Sequence, residues 1–199
     1  MNRMIAVLVL ATSAFGQAGS GLRVTTSNGI VTFTNVGAQP IMAIVAEAQR
    51  NDEPIVTPIH EYFFKPSLMA VGEKWDFDMV AQEDRARWGG KLPPTKLTGR
   101  ATYVQFADGS GWGDASSEAA KQLFSRRATG LDAYTRLDAA YLSGGEAGFL
   151  AELEKPQSGW ADSLYRTVQS EVHDVGAVPA AAHVHQRLLS ANARQRDRF

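Results

Sequence analysis

The sequence predicts an α+β protein in which an antiparallel β-sandwich is followed by a C-terminal region of four or five short α-helices. From Leu22 to about Trp112, apolar and polar residues alternate with a period of two, as half-buried strands require. After Asp114 the apolar residues recur at helical spacing instead. A composition with 44% apolar and 21% charged residues is typical of a folded globular chain.

The first 16 residues have the layout of a secretory signal peptide. Arg3 precedes an apolar run that is too short to serve as a permanent membrane anchor, and small residues follow that run. We predict cleavage after Gly16, with Ala14 or Ala18 as alternative positions. The 199-residue chain contains no cysteine, which excludes a lipid-modified cysteine and a disulfide framework. The sequence therefore predicts a soluble protein of the bacterial envelope, periplasmic or extracellular, without a transmembrane segment in the mature chain.

Charge and glycine patterns give no indication of a nucleic-acid partner or a cofactor. Twenty basic against 21 acidic residues leave a formal net charge of −1, whereas nucleic-acid-binding proteins usually present a basic surface. The glycines of GSGWG at 109–113 are not followed by the Lys-Ser/Thr pair of a phosphate-binding loop. We therefore predict that the protein needs no cofactor.

The strands are predicted in chain order from alternation and turn signals. In GIVTFTN and EKWDFDMV apolar and polar residues alternate, whereas PIMAIVAEA is apolar at nearly every position. The first two patterns indicate strands with one buried face, and the third indicates a central strand covered on both faces. TPIHEYFFK and RATYVQFA add two β-rich runs, which gives roughly six or seven short strands in all.

Three segments of this region, VTFTNVGAQPIMAIV, SLMAVGEKWDF and YVQFADGSGWGD, resemble the small immunoglobulin-like or fibronectin-like sandwiches of exported bacterial proteins of unknown function. The resemblance covers residues 22–114 and consists of strand and turn positions. It implies an immunoglobulin-like sandwich and an exported protein, and it implies no catalytic residue. Val71 stands where similar domains often have a proline before the Gly-Glu turn, so this turn departs from the pattern.

The run DGSGWGD is predicted to be the boundary between the sandwich and the helical region, residues 115–199. Asp108 and Gly109 are a strong signal for a two-residue hairpin turn that leads into a short last strand around Trp112. We expect the Trp112 ring to face the sandwich core. Asp114 or Ser116 is predicted to cap the first helix.

The helices are predicted from apolar stripes and from breakers. A first helix follows Asp114, a second covers GLDAYTRLDAAYLSGG and stops at Gly144, and a third ends at Pro156. The remaining two segments are SGWADSLYRTVQSEV, with Trp160 on its apolar stripe, and PAAAHVHQRLLSANARQRDRF. Each stripe must be buried against neighbouring helices or against the sandwich. A further possibility is that the helices regulate the sandwich by covering its edge or face.

The candidate binding residues lie in the polar stretch between Glu83 and Arg100. Its basic residues surround one aromatic side chain, a combination that can hold an anionic glycan or a strand of nucleic acid, and an exported protein rarely meets nucleic acid. The predicted binding residues are Arg85, Arg87, Trp88 and Lys91.

Metal-dependent or other hydrolytic chemistry is the alternative. The candidates are the neighbouring pair His60 and Glu61, or a cluster formed by His173, Asp174, His183 and His185. However, two histidines that are two positions apart on a helix point about 200° from each other. Calcium could be bound by Asp108, Ser110 and Asp114 or by the strand pair Asp76 and Asp78, although neither set is a complete calcium loop. We predict no metal site and no catalytic residue.

These features together predict an exported, soluble, non-enzymatic binding module. Its partner would be another envelope protein or a surface component, whose identity the sequence does not specify. The hydrolase remains the alternative function.

Overall fold

A computed structural model describes residues 14–17, 19–79 and 96–196. This part of the chain forms two antiparallel β-sheets followed by three α-helices. The first sheet contains β1 (Ala14–Gln17), β2 (Leu22–Ser27), β3 (Ile30–Asn35) and β7 (Lys74–Asp78). The second sheet contains β4 (Ile41–Arg50), β5 (Glu53–Val56), β6 (Ile59–Glu61), β8 (Leu97–Phe106) and β9 (Gly111–Gly113).

The first sheet has the strand order β1-β2-β3-β7. Its tight turn between β2 and β3 is made by Asn28 and Gly29, which both have positive φ angles, 51° and 76°. Asparagine and glycine adopt this conformation at low cost, so the two-residue hairpin forms where the sequence requires it. Strand β1 spans the predicted cleavage position after Gly16, and most of the predicted signal peptide lies outside the described residues.

The second sheet is organised around β4. Strand β8 pairs with one edge of β4, and β5 and β6 pair one after the other with the opposite edge. Ile44 and Ala46 pack into the core between the sheets, whereas Ala43 and Val45 pack against the first helix. The prediction of a central strand buried on both faces is therefore confirmed.

The core between the sheets is built from apolar residues of both. Phe33 of the first sheet and Val104 of the second are both fully buried in it. Trp112 on β9 is partly buried and packs against the same core, as predicted. The hairpin that precedes it is longer than two residues, because Phe106 donates its backbone N–H to the carbonyl of Ser110. Gly109 supplies the positive φ angle, 84°, that closes this loop.

The C-terminal region contains three helices instead of the predicted four or five: α1 (Glu118–Leu153), α2 (Gly159–Val175) and α3 (Ala177–Arg196). Helix α1 continues through Gly130. The glycine has a packing role at this position, because it leaves room for the Phe64 ring. A Cβ atom there would lie 2.7 Å from the ring. At the predicted stop the helix is interrupted: Gly145 has non-helical backbone angles (φ 59°, ψ −149°), so α1 consists of two helical segments joined by a kink.

The cap of α1 also differs from the prediction. Ser117 is the N-cap, and its hydroxyl oxygen accepts the backbone N–H of Ala120. Asp114 instead accepts the backbone N–H and the hydroxyl of Ser116 in the turn before the helix. The two acceptors are three residues apart, so a candidate N-cap could not be placed from residue type alone.

The helices pack on each other and on the outer face of the second sheet. Ala120 and Leu123 of α1 lie against Val45 of β4, while Ala191 of α3 packs with Met42 and Phe63. The result is three layers, with the second sheet in the middle. Within the described residues, none of the helices combines the length and the apolar character needed to cross a membrane.

Candidate functional site

The predicted binding residues Arg85, Arg87, Trp88 and Lys91 lie outside the described residues. They remain a prediction.

The predicted pair His60 and Glu61 does not form one site, because successive residues of a strand face opposite sides. His60 is paired with Ile44 and points toward the first sheet, whereas Glu61 is paired with Ala43 and points toward the helices. The two side chains therefore cannot act on the same group.

The His60 ring closes the side of the sandwich where β6 and β7 face each other. It stacks on the Trp75 ring at 4.7 Å between centroids, and Trp75 also stacks on Phe33 at 4.9 Å. Tyr62 meets His60 edge to face, and Lys65 lies 4.5 Å over the Tyr62 ring. Burial, with a smaller contribution from the Lys65 charge, lowers the pKa of His60 to about 4. His60 is therefore neutral at pH 7 and acts as a packing residue.

The C-terminal histidines also lie apart. His183 pairs with Glu171 on α2, while His185 pairs with Asp138 on α1 at 2.9 Å. The segment is helical, so the two imidazoles point to different neighbouring helices. Among the described residues, no three histidine or carboxylate side chains come together in a way that could hold a metal ion.

The aspartates considered for calcium have local partners. Asp108 accepts the backbone N–H and the hydroxyl of Ser110, and these bonds lower the pKa of the Asp108 carboxyl. Asp114 has the same arrangement with Ser116. Asp76 accepts the Thr32 hydroxyl at 2.6 Å. Asp108 and Asp114 thus act as turn residues, and Asp76 joins two strands of the first sheet.

Glu61 forms a buried ion pair with Arg127 of α1. Arg127 donates to both carboxylate oxygens, with N–O distances of 2.8 to 3.1 Å, and also to the Gln105 side chain. Its guanidinium lies between the Phe63 and Phe124 rings. Burial raises the pKa of the Glu61 carboxyl, and the bonds from Arg127 offset part of this effect.

Arg194 of α3 completes this junction by donating to the backbone carbonyls of Tyr62, Phe63 and Lys65. Sequence reasoning missed both arginines. A signal for Arg127 was present, because it lies four residues after Leu123 and so falls on the apolar stripe of its helix. Arg194 lies three residues after Ala191 on the stripe of its own helix, but the polar tail RQRDRF around it is typical first of a solvated helix end and only second of a docking segment.

A groove lies next to Glu61 on the surface of the molecule, and we call it the β6 groove. It has a volume of about 70 Å³ and is lined by Ile59, Glu61, Phe64, Arg126, Trp160 and Leu164. Its accessible surface is almost entirely apolar.

Trp160 and Arg126 form the rim of the β6 groove. Trp160 lies in the first turn of α2 and is 40% exposed, whereas Leu164, one turn further along, is buried. The Arg126 guanidinium lies 4.8 Å over the Trp160 ring. Within the described residues Arg126 has no carboxylate partner. The predicted apolar stripe of this helix therefore begins with an aromatic side chain, Trp160, that the rest of the protein covers only in part.

Comparisons with family models, with curated proteins and with solved structures find no match for this chain.

Proposed function

We propose that this is an exported, non-enzymatic binding protein of the bacterial envelope, built on an immunoglobulin-like sandwich, and that it contacts its partner through the β6 groove. The export and the immunoglobulin-like character are supported by the sequence patterns at residues 1–16 and 22–114. The contact surface is supported by the arrangement around strand β6.

The observation that carries the proposal is the exposure of Trp160 beside Arg126, an arginine with no carboxylate partner among the described residues. Tryptophan and arginine are the residues that most often dominate protein interfaces, especially at the edge of a small apolar pocket. Trp160 and Arg126 have this arrangement, with Ile59, Phe64 and Leu164 forming the pocket.

The residues with catalytic potential have packing roles instead. Glu61 is held by Arg127, His60 stacks between elements of the two sheets, and His185 joins two helices. The first two contacts connect layers of the fold, and the third holds two helices of one layer together. We therefore assign the groove beside them to the binding of a partner.

The test is affinity capture of partners from an envelope extract. The wild-type protein would be compared with the double variant Trp160→Ala/Arg126→Glu and with the control Val178→Ser, which alters an exposed residue at the far end of the helices. We expect mass spectrometry to find one or more proteins that the wild type and the control retain and the double variant loses. Equal retention by all three proteins would contradict the proposed contact surface.

A further inference from the structure

We propose that the ligand of the β6 groove is a peptide segment in which a small aliphatic side chain is followed by acidic residues. This inference rests on the proposed function and specifies the chemistry of the partner.

The aliphatic side chain is indicated by the size and lining of the groove. An apolar protein cavity of about 150 Å³ accommodates benzene, and the groove, at about 70 Å³, is half as large. Its volume therefore matches the branched end of a leucine or valine better than an aromatic ring. Ile59, Phe64 and Leu164 provide the apolar contacts that such a side chain needs.

The acidic residues are indicated by the charges around the groove. Arg126 and Glu61 both line the groove, Arg127 is paired with Glu61 behind it, and the charge of Arg194 also acts on Glu61, so three guanidinium groups lie in this region with one carboxylate. Because burial raises the pKa of Glu61, protonation of this group would only increase the positive charge. In either state of Glu61 the groove is cationic, which complements an anionic partner.

Arg126 is the group that would contact the acid directly. Arg127 already donates to Glu61 and Gln105, and Arg194 donates to three backbone carbonyls. Arg126 only covers the Trp160 ring, and the edge of a guanidinium that lies over an aromatic ring can still donate to a carboxylate. A carboxylate next to the aliphatic side chain would meet this edge at the rim of the groove.

The inference can be tested with short acetylated peptides and NMR of the tryptophan indole N–H groups. The probes are Gly-Leu-Glu-Glu-Gly, its basic counterpart Gly-Leu-Lys-Lys-Gly, and Gly-Gly-Glu-Glu-Gly, which lacks the aliphatic side chain. The Trp160 signal is assigned with the variant Trp160→Phe. We expect the acidic leucine peptide to shift this signal and to bind about tenfold more tightly than either of the other two.

Arg126→Met should remove the preference for acid over lysine, whereas Lys121→Met, on the same helix but outside the groove, should retain it. Equal binding of the acidic and basic peptides, or no shift of the Trp160 signal, would overturn the inference. A shift that depends on protein concentration without peptide would assign the groove to a second copy of the chain and would also overturn it. If capture from the extract still depends on Trp160 and Arg126, the proposed function stands even when the peptide inference fails.

Discussion

Arg126 and Arg127 are neighbours on helix α1, yet the structure gives them opposite surroundings. Arg127 is 4% exposed, donates to Glu61 and Gln105 and lies between two phenylalanine rings. Arg126 lies at the surface over Trp160 without an acidic partner among the described residues. A helix turns about 100° per residue, so adjacent side chains readily fall on different sides of a layer boundary.

The difference shows that a guanidinium group can stabilise the fold at one position, Arg127, and be available to a ligand at the neighbouring position, Arg126. A buried cation must be paired, because its desolvation costs several kcal/mol, typically more than 3, if the partner is missing. A surface cation has no such requirement and keeps its hydrogen-bonding capacity for another molecule. If this view is correct, substitutions at the two positions should affect different measurements.

The largest effect is expected for Arg127→Met. This change removes the guanidinium that donates to both oxygens of the largely buried Glu61 carboxylate, and leaves only the more distant charge of Arg194 to compensate it. We expect the free energy of unfolding to fall by about 3 kcal/mol, measured by urea denaturation at pH 7. A decrease in the free energy of unfolding of less than about 0.5 kcal/mol, the usual range of a surface substitution, would contradict the proposed difference between the two arginines.

A smaller effect is expected when both members of the buried pair are replaced. In Glu61→Leu/Arg127→Met no charge is left unpaired, and apolar side chains of similar size fill the junction. Such replacements are often neutral, so we expect the double variant to lie within about 1 kcal/mol of the wild type. The same urea titration measures it. A double variant as unstable as Arg127→Met alone would show that the pair is needed for packing rather than for charge compensation.

The sequence predicted the two halves of the fold because their signals are local. The alternation around Val31 and Phe33, and the apolar run of β4, depend on neighbours within a few residues. The predicted number of helices is not confirmed: the first two predicted helices are one, continuous through Gly130, whereas the predicted break at the Gly-Gly pair coincides with non-helical backbone at Gly145.

The candidate site was less predictable for a different reason. Glu61 and Arg127 are 66 residues apart, and their contact exists only once α1 has packed on the second sheet. His60 and Glu61 looked like a catalytic pair because they are adjacent, but strand geometry separates them. The exposure of Trp160 depends on where its helix begins beside β6, and this placement is not visible in any local sequence pattern.

The opposite face of β6 allows a third prediction, based on pH. The unfolded chain takes up a proton on His60 near pH 6.5, whereas the folded protein resists protonation until about pH 4. Stability is therefore complete above pH 6.5 and falls as the pH drops toward 4. The shift corresponds to about 3 kcal/mol, which solvent screening of the half-buried ring reduces to about 1 kcal/mol.

The test compares thermal unfolding of the wild type and His60→Phe at pH 7.0 and pH 5.0. The phenylalanine ring keeps the stack on Trp75 but does not titrate. We expect the wild type to lose more stability than the variant between the two pH values. An identical loss in both proteins would mean that the acid sensitivity has its origin elsewhere in the protein.

The smallest effect on stability is expected for Arg126→Met. Its guanidinium contributes a contact with an exposed ring, and exposed cation–π contacts are worth about 0.5 to 1 kcal/mol, part of which the methionine side chain recovers. We expect the free energy of unfolding to change by no more than about 0.5 kcal/mol, in the same titration that shows the large loss for Arg127→Met. Because the folded population is unchanged, any loss of partner capture by Arg126→Met must come from the surface itself. A large loss of stability would instead show that Arg126, like Arg127, is part of the junction. Arg126 would then no longer support the inference that the groove binds an acidic ligand.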